Sequence, residues 1–105
     1  MQENSKLFNE AHRLLQLKSY DEAVKLFRQD LKENPDNSIT YNNIGVAQTF
    51  LGVVNNNKSL LESAIQHFQR AIAIAESTLG ESYPSANKNL NWAKEELNKL
   101  ELKNS

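Results

Sequence analysis

Apolar side chains recur at intervals of three and four residues along almost the whole chain. Such spacing places the apolar side chains on one face of a helix, whereas a strand would show alternation with a period of two. Five segments with this pattern are separated by short polar turns. The sequence therefore predicts an all-α protein in which consecutive helices run antiparallel, because turns this short leave no room for other connections.

Residues that favour helix ends predict where the five helices begin and end. Ser19 with Glu22, and Ser59 with Glu62, have the spacing of a capping box, which predicts starts of the second and fourth helices. The other expected boundaries are a start of the third helix at Asn37 or Ser38, an end of the second at Asn34-Pro35, a turn at Asn55-Asn56-Asn57, an end of the fourth at Gly80 and a first turn of the fifth at Pro84.

An internal repeat indicates which all-α architecture the chain forms. Leu7 and Tyr41 lie 34 residues apart, which is the period of the tetratricopeptide repeat (TPR). The residues that match the family pattern are Tyr41, Ile44 and Gly45 in its first half, and Ala23, Phe27 and Pro35 in its second half. Glu10 departs from the pattern, because a hydrophobic residue is usual there. In these residues the chain resembles the TPR family, whose members stack helical hairpins into an α-α superhelix.

The resemblance implies a structural role for each type of matching residue. Small residues allow two helix backbones to approach closely, and large ones fill the gaps between neighbouring helices. The small residues are Ala11, Ala23, Gly45 and Ala64, and the large ones are Leu7, Phe27, Tyr41 and Phe68.

The second repeat is longer than the first. Gly52 and Ala64 lie 12 positions apart, where an ordinary repeat has about 5. The excess of 7 is close to two helical turns, so both arms of this hairpin are expected to be about one turn longer. Residues 71–84 resemble the end of the longer repeats of kinesin light chains, which carry a similar Leu-Gly, acidic residue and proline.

These features predict a single TPR domain over residues 1–105. Its expected parts are a first repeat over about 4–37, an extended second repeat over about 38–82 and a capping helix over about 84–103. A plain helical bundle is the alternative architecture.

Composition limits the classes of function. The formal charge is −1 and no basic stripe is present, so neither nucleic acid nor a membrane is an expected partner. There is no cysteine, and His12 and His67 lack neighbouring ligands or acids, so no metal, cofactor or catalytic residue is expected. No signal peptide or membrane-length apolar run is visible, which makes the cytoplasm the expected location.

In TPR proteins, the first helices of successive repeats line a concave groove. The resemblance implies a partner-binding groove made of Phe8, His12, Asn42, Asn43, Val46, Phe50, Lys88, Asn91 and Trp92. Asn42 and Asn91 are expected to hydrogen-bond the backbone of an extended peptide, because amides both donate and accept. The alternative is that Phe8, Leu15 and Phe50 complete the core. Trp92 is expected either to anchor a partner or to pack over the end of the fourth helix.

The best-known TPR ligand, the acidic C-terminal tail of a chaperone, is not expected here. The positions that correspond to its carboxylate clamp are Phe8, His12, Asn43, Lys88 and Trp92. Only Asn43 and Lys88 agree in residue type, so most of the charge-assisted hydrogen bonds would be missing.

The sequence thus predicts a scaffold-type protein-binding module that takes a peptide or helix of another protein in a groove, and not an enzyme. The alternative is a structural domain that associates with itself as a homo-oligomer. Stable arrays usually need about three repeats, which keeps the second hypothesis open.

Overall fold

The computed structural model describes residues 5–104, which form five α-helices and contain no strand. The helices are α1 (Lys6–Gln16), α2 (Tyr20–Glu33), α3 (Ser38–Val54), α4 (Lys58–Leu79) and α5 (Pro84–Lys103). The all-α prediction is confirmed. Residues 1–4 and 105, which the expected domain and first repeat include, lie outside the described range.

Most predicted helix boundaries agree with the structure. Asn37, not Ser38, caps α3, and its side-chain oxygen accepts hydrogen bonds from two backbone N–H groups of the first turn. Helix α2 ends before Asn34-Pro35, and Pro84 is the first residue of α5. Gly80 ends α4 in the left-handed conformation, with φ of 64°, which glycine adopts without steric cost.

The predicted capping boxes do not form. Ser19 lies at the start of α2, but its side chain makes no capping hydrogen bond. The prediction for α4 is wrong by two residues, because the helix is capped by Asn57, whose side-chain oxygen accepts from the N–H of Leu60 at 3.1 Å. Asparagine caps a helix as well as serine does, so Ser59 is left inside the first turn.

The longer second hairpin is confirmed. Helix α3 continues for nine residues past Gly45, whereas α1 continues for five past Ala11. Helix α4 begins six residues before Ala64, whereas α2 begins three before Ala23. Each arm is therefore longer by about one turn, and the arms meet at the turn 55–57. Residues 51–54 are called the extra turn of α3 below.

The core forms where small residues let helices approach. Ala11, Ala23 and Ala64 are fully buried, as is Ala93 on α5. The closest approach involves Gly45, where a Cβ atom would lie 2.6 Å from the ring of Phe68 on α4. Any larger residue at position 45 would force the ring of Phe68 to move.

Helix contacts follow the order of the chain. Each helix contacts the next, and in addition α1 contacts α3 and α3 contacts α5. No other pair of these helices makes backbone contact. The described residues measure 47 × 29 × 19 Å, and the smallest dimension corresponds to about two helix diameters. Helices α1 and α5 therefore both pack on α3 but not on each other.

A buried carboxylate joins the first three helices. Asp30 on α2 is fully buried and accepts three hydrogen bonds. The donors are the hydroxyl of Ser5 at 2.6 Å, the side-chain amide of Asn34 at 3.1 Å and the hydroxyl of Thr40 at 3.1 Å. Ser5 caps α1 and Thr40 lies in the first turn of α3, so Asp30 connects the amino-terminal ends of α1 and α3 through the end of α2.

Ala64→Leu tests the close packing of the second hairpin. We expect the free energy of unfolding to fall by about 1 to 3 kcal/mol, because a fully buried site beside Phe68 has no space for three more carbon atoms. Chemical denaturation followed by circular dichroism measures the change. The control is Ala73→Leu on the exposed face of α4, which should stay within about 0.5 kcal/mol of the wild type. Equal losses for the two variants would contradict this packing.

Asp30→Ala tests the buried network. Removal of the carboxylate leaves the hydroxyl of Thr40 buried without its acceptor, so we expect a loss of about 1 to 3 kcal/mol in the free energy of unfolding. Asp36→Ala, in the exposed turn after α2, is the matched control and should have little effect. A loss for Asp36→Ala as large as that for Asp30→Ala would argue against the network.

Candidate functional site

The predicted groove residues lie on α1, α3 and α5, but they do not form one open surface. Phe8 is only 5% exposed. Its ring packs edge-on against Phe27 of α2, with 5.7 Å between ring centroids, and belongs to the core between the first three helices. The expectation that Phe8 lines an open groove is therefore wrong, and the core alternative holds for this residue. His12, stacked on Phe8 at 6.2 Å, is exposed.

Asn42 holds α3 to α5. The residue is 8% exposed, and its side-chain oxygen accepts a hydrogen bond from the amide of Asn89 at 3.1 Å. Burial raises the pKa of the Tyr83 phenol, and a hydrogen bond with Asn42 opposes part of that rise. The expected role of Asn42, hydrogen bonding to a peptide backbone, is therefore wrong, because its side chain is used inside the domain. Asn43, one residue later, is half-buried and makes no hydrogen bond through its side chain.

The remaining predicted residues divide between core and surface. Val46 is half-buried and packs against the cluster of Ala64, Phe68 and Ala93. Lys88 and Asn91 are exposed on α5. At 100° per residue they lie on the side of α5 away from its buried stripe of Ala86, Ala93 and Leu100.

Phe50 and Trp92 are brought together by the packing of α3 against α5. Their ring centroids are 5.0 Å apart and the ring planes meet at 67°. Trp92 thus contacts α3. Its packing over the end of α4 stays a prediction. Phe50 remains 39% exposed, so it does not complete the core as the alternative proposed.

Tyr20 is a third member of this group and was missed by the sequence reasoning. Its ring, at the start of α2, stacks on Phe50 with 4.9 Å between centroids and 12° between planes. Tyr20, Phe50 and Trp92 are called the aromatic row below. The row crosses from the first hairpin to α5 over the carboxyl-terminal half of α3. No spacing in the sequence links these three residues, because they come from three different helices.

Exposed aliphatic residues follow Phe50 along α3. Val53 and Val54 lie on the extra turn of α3, three and four residues after Phe50, and therefore on the same face of the helix. Leu17, at the end of α1, is also exposed. The spacing of Phe50, Val53 and Val54 within a segment longer than the first repeat is the signal that could have identified this surface.

The opposite end of the molecule carries a different feature. An open cleft of about 700 Å³ lies between the turn 34–37, the first turn of α3 and the end of α4. Its lining is mostly polar, with the exposed apolar residues Ile39 and Leu79 at its edge. None of the nine groove residues predicted from the resemblance lines this cleft.

Within residues 5–104, neither histidine makes a hydrogen bond or ion pair with the carboxylate of an aspartate or glutamate. His67 is half-buried and donates through Nδ1 to the backbone oxygen of Ser63 at 2.8 Å. Burial lowers the pKa of His67, the hydrogen bond to Ser63 raises it, and the positive charge of Arg28 lowers it further. Across residues 5–104, no three side chains of His, Asp or Glu converge to hold a metal ion.

Comparison of the chain with protein-family models finds no match, and comparison with curated proteins finds no significant similarity. Among the described helices, none combines the length and the apolar character needed to cross a membrane.

Asn42→Ala and Asn43→Ala separate an internal role from a surface role. We expect Asn42→Ala to lower the free energy of unfolding by about 1 to 3 kcal/mol, because the amide of Asn89 loses its acceptor in a partly buried site. Asn43→Ala should change it by less than about 0.5 kcal/mol. Chemical denaturation of both variants measures the difference, and a larger loss for Asn43→Ala would contradict the assignment.

Proposed function

We propose that this chain is a protein-binding module of the TPR type, and that its binding surface is centred on the aromatic row. The observation that supports the proposal is Phe50, an exposed aromatic ring that contacts the rings of Tyr20 and Trp92. The residues that contribute most to binding energy in protein interfaces are enriched in Trp and Tyr, and Phe50 contacts one of each.

The order of helix contacts supports the TPR type. In a stack of hairpins, each helix packs on the next, and the first helix of each hairpin packs on the first helix of its neighbour. The contacts of α1 with α3 and of α3 with α5 follow this order. A bundle around one centre would bring α1 or α2 against α4 or α5, and these backbone contacts do not occur between the described helices. The 34-residue spacing and the small residues at helix contacts support the same proposal.

The preformed geometry of the aromatic row supports a binding role. Tyr20 and Trp92 both contact the ring of Phe50 and restrict its motion, so a partner would lose little side-chain entropy at this position when it binds. Asn43 is an amide with free hydrogen-bonding capacity on the same helix. The proposed site is thus Phe50, Trp92, Tyr20 and Asn43, and it omits Phe8 and Asn42.

Self-association is a second candidate, favoured by the exposed aliphatic residues beside the aromatic row. Val54 is 73% exposed on the extra turn, and Leu17 is 60% exposed at the end of α1. An exposed apolar group of this kind serves a second copy of the chain as well as it serves another protein.

Photochemical crosslinking from the aromatic row tests the proposal. A photoreactive phenylalanine analogue at position 50 is expected to crosslink the chain in cell extract to a different protein. The same analogue at position 79, where Leu79 is 58% exposed at the other end of the molecule, is the control and should not crosslink to that protein.

Crosslinks from position 50 to copies of the chain alone would support self-association instead. Light scattering decides this point independently, since a chain that stays monomeric at high concentration excludes a stable homo-oligomer. If positions 50 and 79 crosslink to the same proteins, the result would contradict a binding surface at the aromatic row.

A further inference from the structure

We propose that the open cleft at the opposite end of the molecule from the aromatic row binds an arginine side chain of another protein. The cleft has a volume of about 700 Å³ and lies between the turn 34–37, the first turn of α3 and the end of α4. It shares no residue with the aromatic row, so the two proposed sites can be tested separately.

The lining of the cleft is negatively charged. Glu33, the last residue of α2, and Asp36, in the turn after it, both line the cleft. Neither carboxylate forms an ion pair with another side chain of residues 5–104. Lys6 and Lys32 neighbour lining residues along the chain, but no basic residue of the described range lines the cleft itself. The lining is therefore complementary in charge to a cation.

Ser38 supplies a polar group that indicates a ligand independently of the two acids. The residue lines the cleft in the first turn of α3 and is only 8% exposed. Its hydroxyl makes no hydrogen bond within the described part of the chain. The hydroxyl nevertheless reaches solvent, because the one fully buried side-chain polar atom without a partner in that range is Oε1 of Gln48. It therefore opens into the cleft that Ser38 lines, where a ligand can bond to it.

The polar groups left free around the cleft are mostly acceptors. The side chain of Asn37 caps α3 and that of Ser5 caps α1, so backbone N–H groups at these helix ends already have acceptors. The amide of Asn34 donates to the carboxylate of Asp30 at 3.1 Å, which leaves the amide oxygen as an acceptor. Helices α2 and α4 end at the cleft, and the last carbonyl groups of a helix lack partners within it. A ligand with several N–H donors suits this lining.

A guanidinium group meets these requirements better than an ammonium group does. It carries five N–H donors in one plane, so it can bond a carboxylate with two of them and other acceptors with the rest. It is also more weakly hydrated than an ammonium group, so it loses less on leaving water. Ile39 and Leu79 at the edge of the cleft offer apolar surface to the methylene groups of an arginine side chain.

Binding of acetyl-arginine amide to the whole chain, followed by NMR, tests the proposed site. We expect saturable shifts of backbone amide resonances confined to the lining of the cleft, with Ser38 and Thr78 among them. Acetyl-citrulline amide has nearly the same shape without the charge, and acetyl-lysine amide has the charge without the planar donors. Both should bind at least about threefold more weakly.

Three variants locate the contacts. Glu33→Gln combined with Asp36→Asn should weaken binding of acetyl-arginine amide by about fivefold, because both carboxylates lose their charge. Ser38→Ala should weaken it by about two- to tenfold. The matched control is Asp21→Asn combined with Glu62→Gln, which removes two exposed carboxylates near the other ends of α2 and α4 and should leave the affinity nearly unchanged. Circular dichroism checks folding, and the first variant retains the test if Ser38→Ala does not fold.

Crosslinking from position 79 tests whether the arginine belongs to another protein. The photoreactive phenylalanine analogue at this position should crosslink to proteins other than those captured from position 50. An excess of acetyl-arginine amide should reduce these crosslinks, whereas acetyl-citrulline amide should not. Crosslinks that persist at an excess of acetyl-arginine amide would contradict an arginine in the cleft.

Four results in the binding experiments would overturn the proposed site. They are an equal affinity of the Glu33→Gln, Asp36→Asn variant and the wild type, an equal affinity for acetyl-lysine amide, an equal affinity for acetyl-citrulline amide, and shifts spread without saturation over all acidic surfaces. None of these results bears on the aromatic row, whose proposed function is tested from position 50.

Discussion

The close approach of α3 to α4 is the constraint on which the rest of the structure depends. A Cβ atom at Gly45 would lie 2.6 Å from the ring of Phe68, so these helices can pack at this distance only because position 45 has no side chain. The position of Phe68 in turn sets the cluster with Ala64 and Ala93, on which α5 packs. Helix α5 carries Trp92. The position of Trp92 in the proposed binding surface therefore depends on the absence of a side chain at Gly45.

The longer second hairpin connects the fold to the proposed function. Gln16 lies five residues after Ala11 and ends α1, and the corresponding residue of α3 is Phe50, five residues after Gly45. In a hairpin of ordinary length, Phe50 would therefore be the last residue of a helix, where the backbone frays. The extra turn holds Phe50 inside a continuing helix and adds Val53 and Val54 to the same exposed face. The inserted residues thus both position the central ring and enlarge the apolar surface around it.

Polar residues inside the domain are used to hold helices together. Asp30 connects three helices through the hydroxyls of Ser5 and Thr40 and the amide of Asn34. Asn42 connects α3 to α5 through Asn89. Each of these polar side chains would cost free energy if it were buried without a partner, so the networks favour one arrangement of the helices over others. Helices that pack mainly through alanine and glycine gain specificity from such contacts.

Local patterns in the sequence were enough to predict the helices, most of their ends and the greater length of the second hairpin. Periodicity, the residue before Pro35, and Gly80 act within a few residues along the chain, so no tertiary information was needed. The predicted cap of α4 was wrong by two residues, because Asn57 and Ser59 are both suitable caps and the sequence does not rank them. The small residues of the repeat pattern, Ala11, Ala23, Gly45 and Ala64, are all buried, whereas the large residues Leu7 and Tyr41 are only partly buried.

The binding surface was decided by tertiary structure. Phe8 and Phe50 were both predicted to line a groove, yet Phe8 packs against Phe27 and is buried, whereas Phe50 remains exposed in contact with Tyr20 and Trp92. Asn42 and Asn43 are adjacent and chemically identical, yet one faces α5 and the other does not. A sequence determines which face of a helix is apolar, because that depends on spacing alone. Which residues of that face stay exposed depends on where other helices end, and that depends on the packing of the whole chain.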